Sequence, residues 1–115
     1  MPSPNSLQSH RLSRPQDFEN LARKGKKIFS GTLLYKHVPS PDGAVRLAFV
    51  VRKKCGNAVF RNRVRRILRH QMYAALGKVK EPRWGMIQFL GTSKEFHAAQ
   101  LHADTAELLG KLGWA

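Results

Sequence analysis

The side chains best equipped for chemistry in this sequence are cations. Arg61, Arg63, Arg65, Arg66 and Arg69 lie close together, directly downstream of Arg52-Lys53-Lys54. Guanidinium is planar, permanently charged and forked, so it grips phosphate oxygens through paired hydrogen bonds. Arg61, Arg65 and Arg69 are four apart, the spacing that aligns side chains on one face of a helix, with Asn62 and Arg66 beside them. Such a band makes positioned contacts on a shaped phosphate backbone. Charge alone leaves DNA open, because phosphate contacts carry no sequence information. A solvated face is the ordinary fate of a charge run, but ordinary surfaces interleave both signs. Here residues 43–80 hold eleven bases and no acid.

The rest of the composition agrees. The chain has 115 residues, 21 Lys and Arg against 7 Asp and Glu, and a net charge of +14. That much self-repulsion on one small domain calls for a polyanionic partner. A smaller basic group stands at Arg23, Lys24, Lys26 and Lys27, whereas residues 84–115 look like ordinary scaffold. The single cysteine, Cys55, forms no intramolecular disulfide, and no CxxC or Cys/His cluster points to zinc. No apolar run reaches membrane-spanning length, and the opening residues lack the apolar core of a secretory signal. A cytoplasmic protein without membrane association is expected. No catalytic constellation stands out: the five histidines lack nearby cysteines or paired acids, and the seven acids are scattered. Neither catalytic residues nor protein metal ligands are expected.

The elements that must position these cations can be read from periodicity. Residues 1–10 read as a disordered tail and 11–115 as one RNA-binding domain. Pro15, with Asp17 and Glu19 at the positive end, opens a short helix over 15–24 that Gly25 stops. Residues 28–38 and 44–52 read as two strands joined as an antiparallel hairpin by Pro39-Ser40-Pro41-Asp42-Gly43. Asn57 caps the longest helix, which runs to about residue 76. Its apolar positions are Phe60, Val64, Ile67, Leu68, Met72 and Ala75, opposite the arginine band. Residues 84–90 form a continuous apolar strand, and 95–112 a last helix with Phe96, Leu101, Leu108, Leu109 and Leu112 for the core. The order predicts an α+β fold, a helix-on-sheet sandwich. Phe18, Phe29, Tyr35 and Phe49 gather around the first helix and the hairpin, where the bases of a single strand could stack. Phe49 reads better as core; Phe18 and Tyr35 fit either role.

The stretch Lys53-Lys54-Cys55-Gly56-Asn57-Ala58-Val59-Phe60-Arg61-Asn62-Arg63-Val64-Arg65-Arg66 closely resembles the signature of the bacterial ribonuclease P protein subunits, with Arg61-Asn62-Arg63 as its RNR core. Arg11-Leu12, Asp17-Phe18 and Gly25 resemble the opening of that family, and order and length fit over about residues 11–110. The resemblance implies a two-layer α/β sandwich, a small mixed sheet with the long basic helix in a left-handed βαβ crossover, like the second domain of ribosomal protein S5. It implies a non-catalytic protein subunit of a ribonucleoprotein endoribonuclease. The partners would be the ribonuclease P RNA, one protein per RNA, and the 5′ leader of precursor tRNA, with Mg²⁺ held mainly by the RNA. Carried over, Lys53, Lys54, Asn57, Arg61, Asn62, Arg63, Arg65, Arg66 and Arg69 become RNA contacts. Phe18, Tyr35, Phe49 and Arg52 become the leader cleft. Three positions depart from the pattern: Arg52 adds charge at the cleft edge, Ala22 replaces a common aromatic, and Leu90-Gly91-Thr92 lacks a usual base. The alternative is a ribosomal or other structural RNA-binding protein; a DNA-binding helix ranks lower, for want of a helix-turn-helix pattern.

Overall fold

The computed structural model describes residues 15–115, apart from the side chains of Pro15 and Phe18. The tail expected at 1–10 lies outside the described residues. Seven main elements follow in order: α1 (Pro15–Lys24), β1 (Lys26–Ser30), β2 (Leu33–Pro39), β3 (Arg46–Val50), α2 (Ala58–Ala74), β4 (Arg83–Phe89) and α3 (Ala98–Leu112). The strands make one mixed sheet in the order β1-β2-β4-β3. β1 and β2 are antiparallel, as are β2 and β4, while β3 runs parallel to β4 and reaches it through α2.

The expected hairpin between residues 28–38 and 44–52 does not form, and two local features explain why. Gly31 takes a left-handed φ of 54°, which a glycine accepts without steric cost. The first segment therefore folds on itself into β1 and β2. β4 then enters between β2 and β3. Its Gly85, Met86, Ile87 and Phe89 are buried, so it needs a neighbour on each side. The Pro39–Gly43 turn carries the chain across the start of β4. Ser40 N–H donates to the Pro82 carbonyl at 3.2 Å, and the Trp84 indole N–H donates to Asp42 at 3.1 Å.

Strand alternation divides the apolar residues between the two faces. On one face Leu33, Tyr35, Leu47, Ile87 and Phe89 pack with Val64, Leu68 and Met72 of α2 and Leu101, Leu108 and Leu109 of α3. On the other, Leu21 of α1 packs with Ala48 and Met86, and Val38, Val50 and Trp84 join them. Gly113, with φ 77°, stops α3 and turns the chain back, so that Trp114 N–H reaches the Leu109 carbonyl at 2.9 Å. The Trp114 ring meets Tyr35 edge-on at 6.4 Å.

One polar tie holds the β1–β2 turn against α3. The buried Asp104 carboxylate accepts from Thr32 N–H at 2.9 Å, Thr32 hydroxyl at 2.7 Å and the Gln100 amide at 2.7 Å. Burial pushes its pKa up, but these donors outweigh it and hold the carboxyl below the usual range. A Cβ on Gly31 would collide with that carboxylate. Nothing in the hydrophobic periodicity marks Asp104 for this role.

Candidate RNA interface

α2 starts where β3 ends, and the join concentrates the cations. After Val51 the chain makes a 3-10 turn over Lys53–Cys55, whose Cys55 is buried and directs its thiol at the Phe89 carbonyl. Asn57 then caps α2 by accepting from Phe60 N–H at 2.8 Å. Asn57 therefore has a structural task at the position expected to touch RNA. Arg52, Lys53, Lys54, Asn57, Asn62, Arg63 and Arg66 are exposed, whereas Arg61, Arg65 and Arg69 are half-buried.

The arginines do not form one uniform band. Arg65 is fixed by Asn62 Oδ1 at 2.8 Å and by the Val51 carbonyl at 3.4 Å. Arg69 lies over the Phe49 ring at 5.9 Å, along the β3 edge. Arg63 instead lies over Phe96, at 5.3 Å, on the side of α2 next to the start of α3. These ring and backbone contacts restrict the side chains before any ligand arrives, which lowers the entropy lost on binding. Nor is the charge neutralised internally. The ion pairs among the described residues use Arg23, Arg46, Arg83 and Lys111, none of them on α2.

Between α1 and the start of α2, the α1 face of the sheet is only partly covered by described residues. Its rows follow from the strand register: Lys27, Lys36, Met86 and Ala48 in one row, Phe29, Leu34, Gln88 and Val50 in the next. Leu21 of α1 covers the Met86–Ala48 end. Phe29 stays 58% exposed and Leu90, further along the same face, 46%. The result is a shallow trough with an aromatic and aliphatic floor, Lys27 and Lys36 on its β1–β2 side, and the exposed Arg52 following β3.

Two residues expected in a leader cleft do not reach this trough. Tyr35 is fully buried on the opposite face, its ring stacked on His37 at 5.2 Å. Burial pushes its phenol well above the usual value, and it offers no face to a base. Phe49 also points to the α2 face, edge-on to Tyr73 at 5.9 Å. Both miss the trough because strand neighbours point to opposite faces; Leu34, Lys36 and Val50, adjacent in sequence, take those places. Phe18 lies in α1, but its side chain is outside the described residues. The residues that line the trough are Phe29, one of the aromatics singled out in the sequence, with Leu34, Lys36 and Gln88; the alternation that begins after Gly31 marks Leu34 and Lys36, once the turn there is recognised.

Known proteins resemble this chain over nearly its whole length. The family model described as Ribonuclease P matches residues 7–113. A ribonuclease P protein component from Acidothermus cellulolyticus is 31% identical over 106 residues, covering 90% of this chain and 88% of the relative. Another, from Corynebacterium diphtheriae, is 31% identical over 110 residues, with coverage of 90% and 92%. Among solved structures, a Staphylococcus aureus RNase P protein mutant with defective mRNA degradation activity superposes with a TM-score of 0.81 at 20% identity, covering 90% of this chain and 88% of that one. The RNase P protein from Thermotoga maritima gives 0.72 at 20% identity, covering 91% and 96%.

Proposed function

The chain belongs to the ribonuclease P protein family, the protein subunits of the ribonucleoprotein endoribonuclease that matures tRNA 5′ ends, and from that premise we propose how its surface is divided. α2 and the turn before it hold the catalytic RNA through Lys53, Lys54, Arg61, Asn62, Arg63, Arg65, Arg66 and Arg69, with Asn57 at the helix start. The trough beside them takes the 5′ leader of precursor tRNA. Phe29 supplies the stacking surface, and Lys27, Lys36 and Arg52 meet the phosphates.

The observation that carries this reading is where the cations gather: the α2 arginines have no ion-pair partner among the described residues, and the exposed Arg52, Lys53 and Lys54 join them to the end of β3, a strand that also borders the trough with its exposed Phe29. A single strand is bound in this way, by base stacking along a positively charged groove. One protein serves one RNA, in the cytoplasm. Among the described residues no helix is long and apolar enough to cross a membrane.

Among the described residues no three His, Cys, Asp or Glu gather around a common point. Asp42 is occupied by Arg46 and Trp84, and Asp104 by Thr32 and Gln100. In this reading Mg²⁺ is held mainly by the RNA, and the protein's part is to bind and orient.

The test is the affinity of the reconstituted RNA–protein particle for precursor tRNA with and without its leader. The leader should strengthen binding when the protein is present, and Phe29→Ala should remove much of that gain. A leader effect of equal size with RNA alone would refute the division.

A further inference from the structure

Two buried polar atoms on the α2-facing side of the sheet lack a hydrogen-bond partner among the described residues, and they belong to neighbouring side chains. One is the Tyr35 hydroxyl, the other His37 Nδ1. Their rings stack at 5.2 Å, 17° from parallel. Tyr35 is fully buried, so its hydroxyl has given up water and gained no protein acceptor, a deficit that a ligand can make good. The hydroxyl stands over Gly85, where a Cβ would collide with it.

The strand register places cations around this spot. Lys26, His37 and Gly85 stand in one row across β1, β2 and β4, and Arg83, two residues before Gly85, points to the same face. Burial first, and then the charges of Arg83 and Lys26, hold His37 below its usual pKa, so both cations lie within electrostatic reach of the ring. At neutral pH the imidazole is therefore uncharged, with one N–H to donate. Burial pushes the Tyr35 phenol up, against the opposing charge of Arg83, and keeps the hydroxyl a donor. Glu81, which pairs with Arg83 Nη2 at 3.3 Å, is 82% exposed, and a pair that open to water contributes little. Hydroxyl, imidazole, guanidinium and ammonium together suit a phosphate and repel a metal cation. We propose that Tyr35, His37, Arg83 and Lys26 hold one phosphate of the bound RNA, at the end of the sheet where β4 begins. α2 starts at the opposite end, where β3 stops, and the trough lies on the other face. The proposal rests on the RNA-binding reading of the chain and adds a second place at which the RNA is held.

Two arms test it. In the first, the full chain is titrated with inorganic phosphate at fixed pH and ionic strength, with chloride as the matched control, while the His37 imidazole signals, the amide signals of residues 83–85 and the melting temperature are followed. Tyr35→Phe, which removes one oxygen and keeps the ring in the core, is treated in the same way. Phosphate should move these signals in the unaltered chain and raise its melting temperature by more than that of Tyr35→Phe, since a ligand stabilises only the state that binds it. His37 signals indifferent to phosphate, or an equal response in Tyr35→Phe, overturn the proposal. In the second arm, ribonuclease P RNA binding is measured across a salt series for Arg83→Gln, a change outside the core. The log–log slope should flatten by roughly 0.7 to 0.9, one phosphate contact, and affinity should fall several-fold. An unchanged slope beside a positive first arm assigns the site to free phosphate and overturns its role in holding RNA. If the unaltered chain fails to bind the RNA at all, the functional reading itself falls, and the phosphate arm still judges the site.

Discussion

Asn62 shows how a neutral residue serves a charged surface. Its side-chain oxygen accepts from Arg65 at 2.8 Å, so it fixes where that guanidinium points. Asn62→Ala should weaken RNA binding several-fold while leaving the dependence on salt unchanged, since no cation is lost. Arg61→Ala with Arg65→Ala should behave differently. Each phosphate contact contributes roughly −0.7 to −0.9 to the log–log salt slope, so the double variant should be flatter by about one to two units. Equilibrium binding across a salt series reads both, and an unchanged slope in the double variant would reduce the α2 arginines to a solvated face. At the same scale Phe29, 58% exposed on the trough floor, should contribute about 1–3 kcal/mol to leader affinity if it stacks one base. Phe29→Ala should then leave binding of the catalytic RNA itself unchanged.

At the scale of elements, the β1–β2 turn and α3 depend on each other through Asp104. Asp104→Asn should lower stability by about 1–3 kcal/mol, because a charge-assisted acceptor is replaced at a buried site. The sign of its pH dependence follows from the depressed pKa. The carboxylate's stabilisation is complete above the ordinary Asp value, about 3.9, and drains away as pH falls through the lower folded value. The gap between wild type and Asp104→Asn should therefore narrow in acid, as thermal melts at pH 7 and near pH 3 will read. Gly31→Ala should destabilise on its own account, through its positive φ and the carboxylate facing its Cβ position. These elements also mark the limit of what periodicity reveals. α1, α2, β4 and α3 were legible because caps, apolar spacing and glycine stops are local signals. The β1–β2 break was not, since one glycine in a run of strand formers carries it. The insertion of β4 was not, because strand order is a non-local choice between sheet partners. Phe49 was already legible as core, and Tyr35, which fitted either role, proves to be buried core.

Across the whole molecule, the +14 charge resolves into a division of labour. α3 and the α2-facing side of the sheet provide a dry core, and α1 covers part of the opposite face. The cations gather where β3 passes into α2. The signature stretch marked that place in the sequence, because its chemistry is contiguous along the chain. The trough could not be marked in the same way, since its floor draws on β1, β2, β3 and β4 together. In the proposed division the protein supplies binding and orientation, and hydrolysis belongs to its RNA partner. The most direct test is cleavage of precursor tRNA at low Mg²⁺ by ribonuclease P RNA alone, by the protein alone, and by the two together. Faster cleavage by the pair than by the RNA, with none by the protein, is the expected result. An RNA rate unaffected by the protein, or robust metal-dependent cleavage by the protein without RNA, would contradict it.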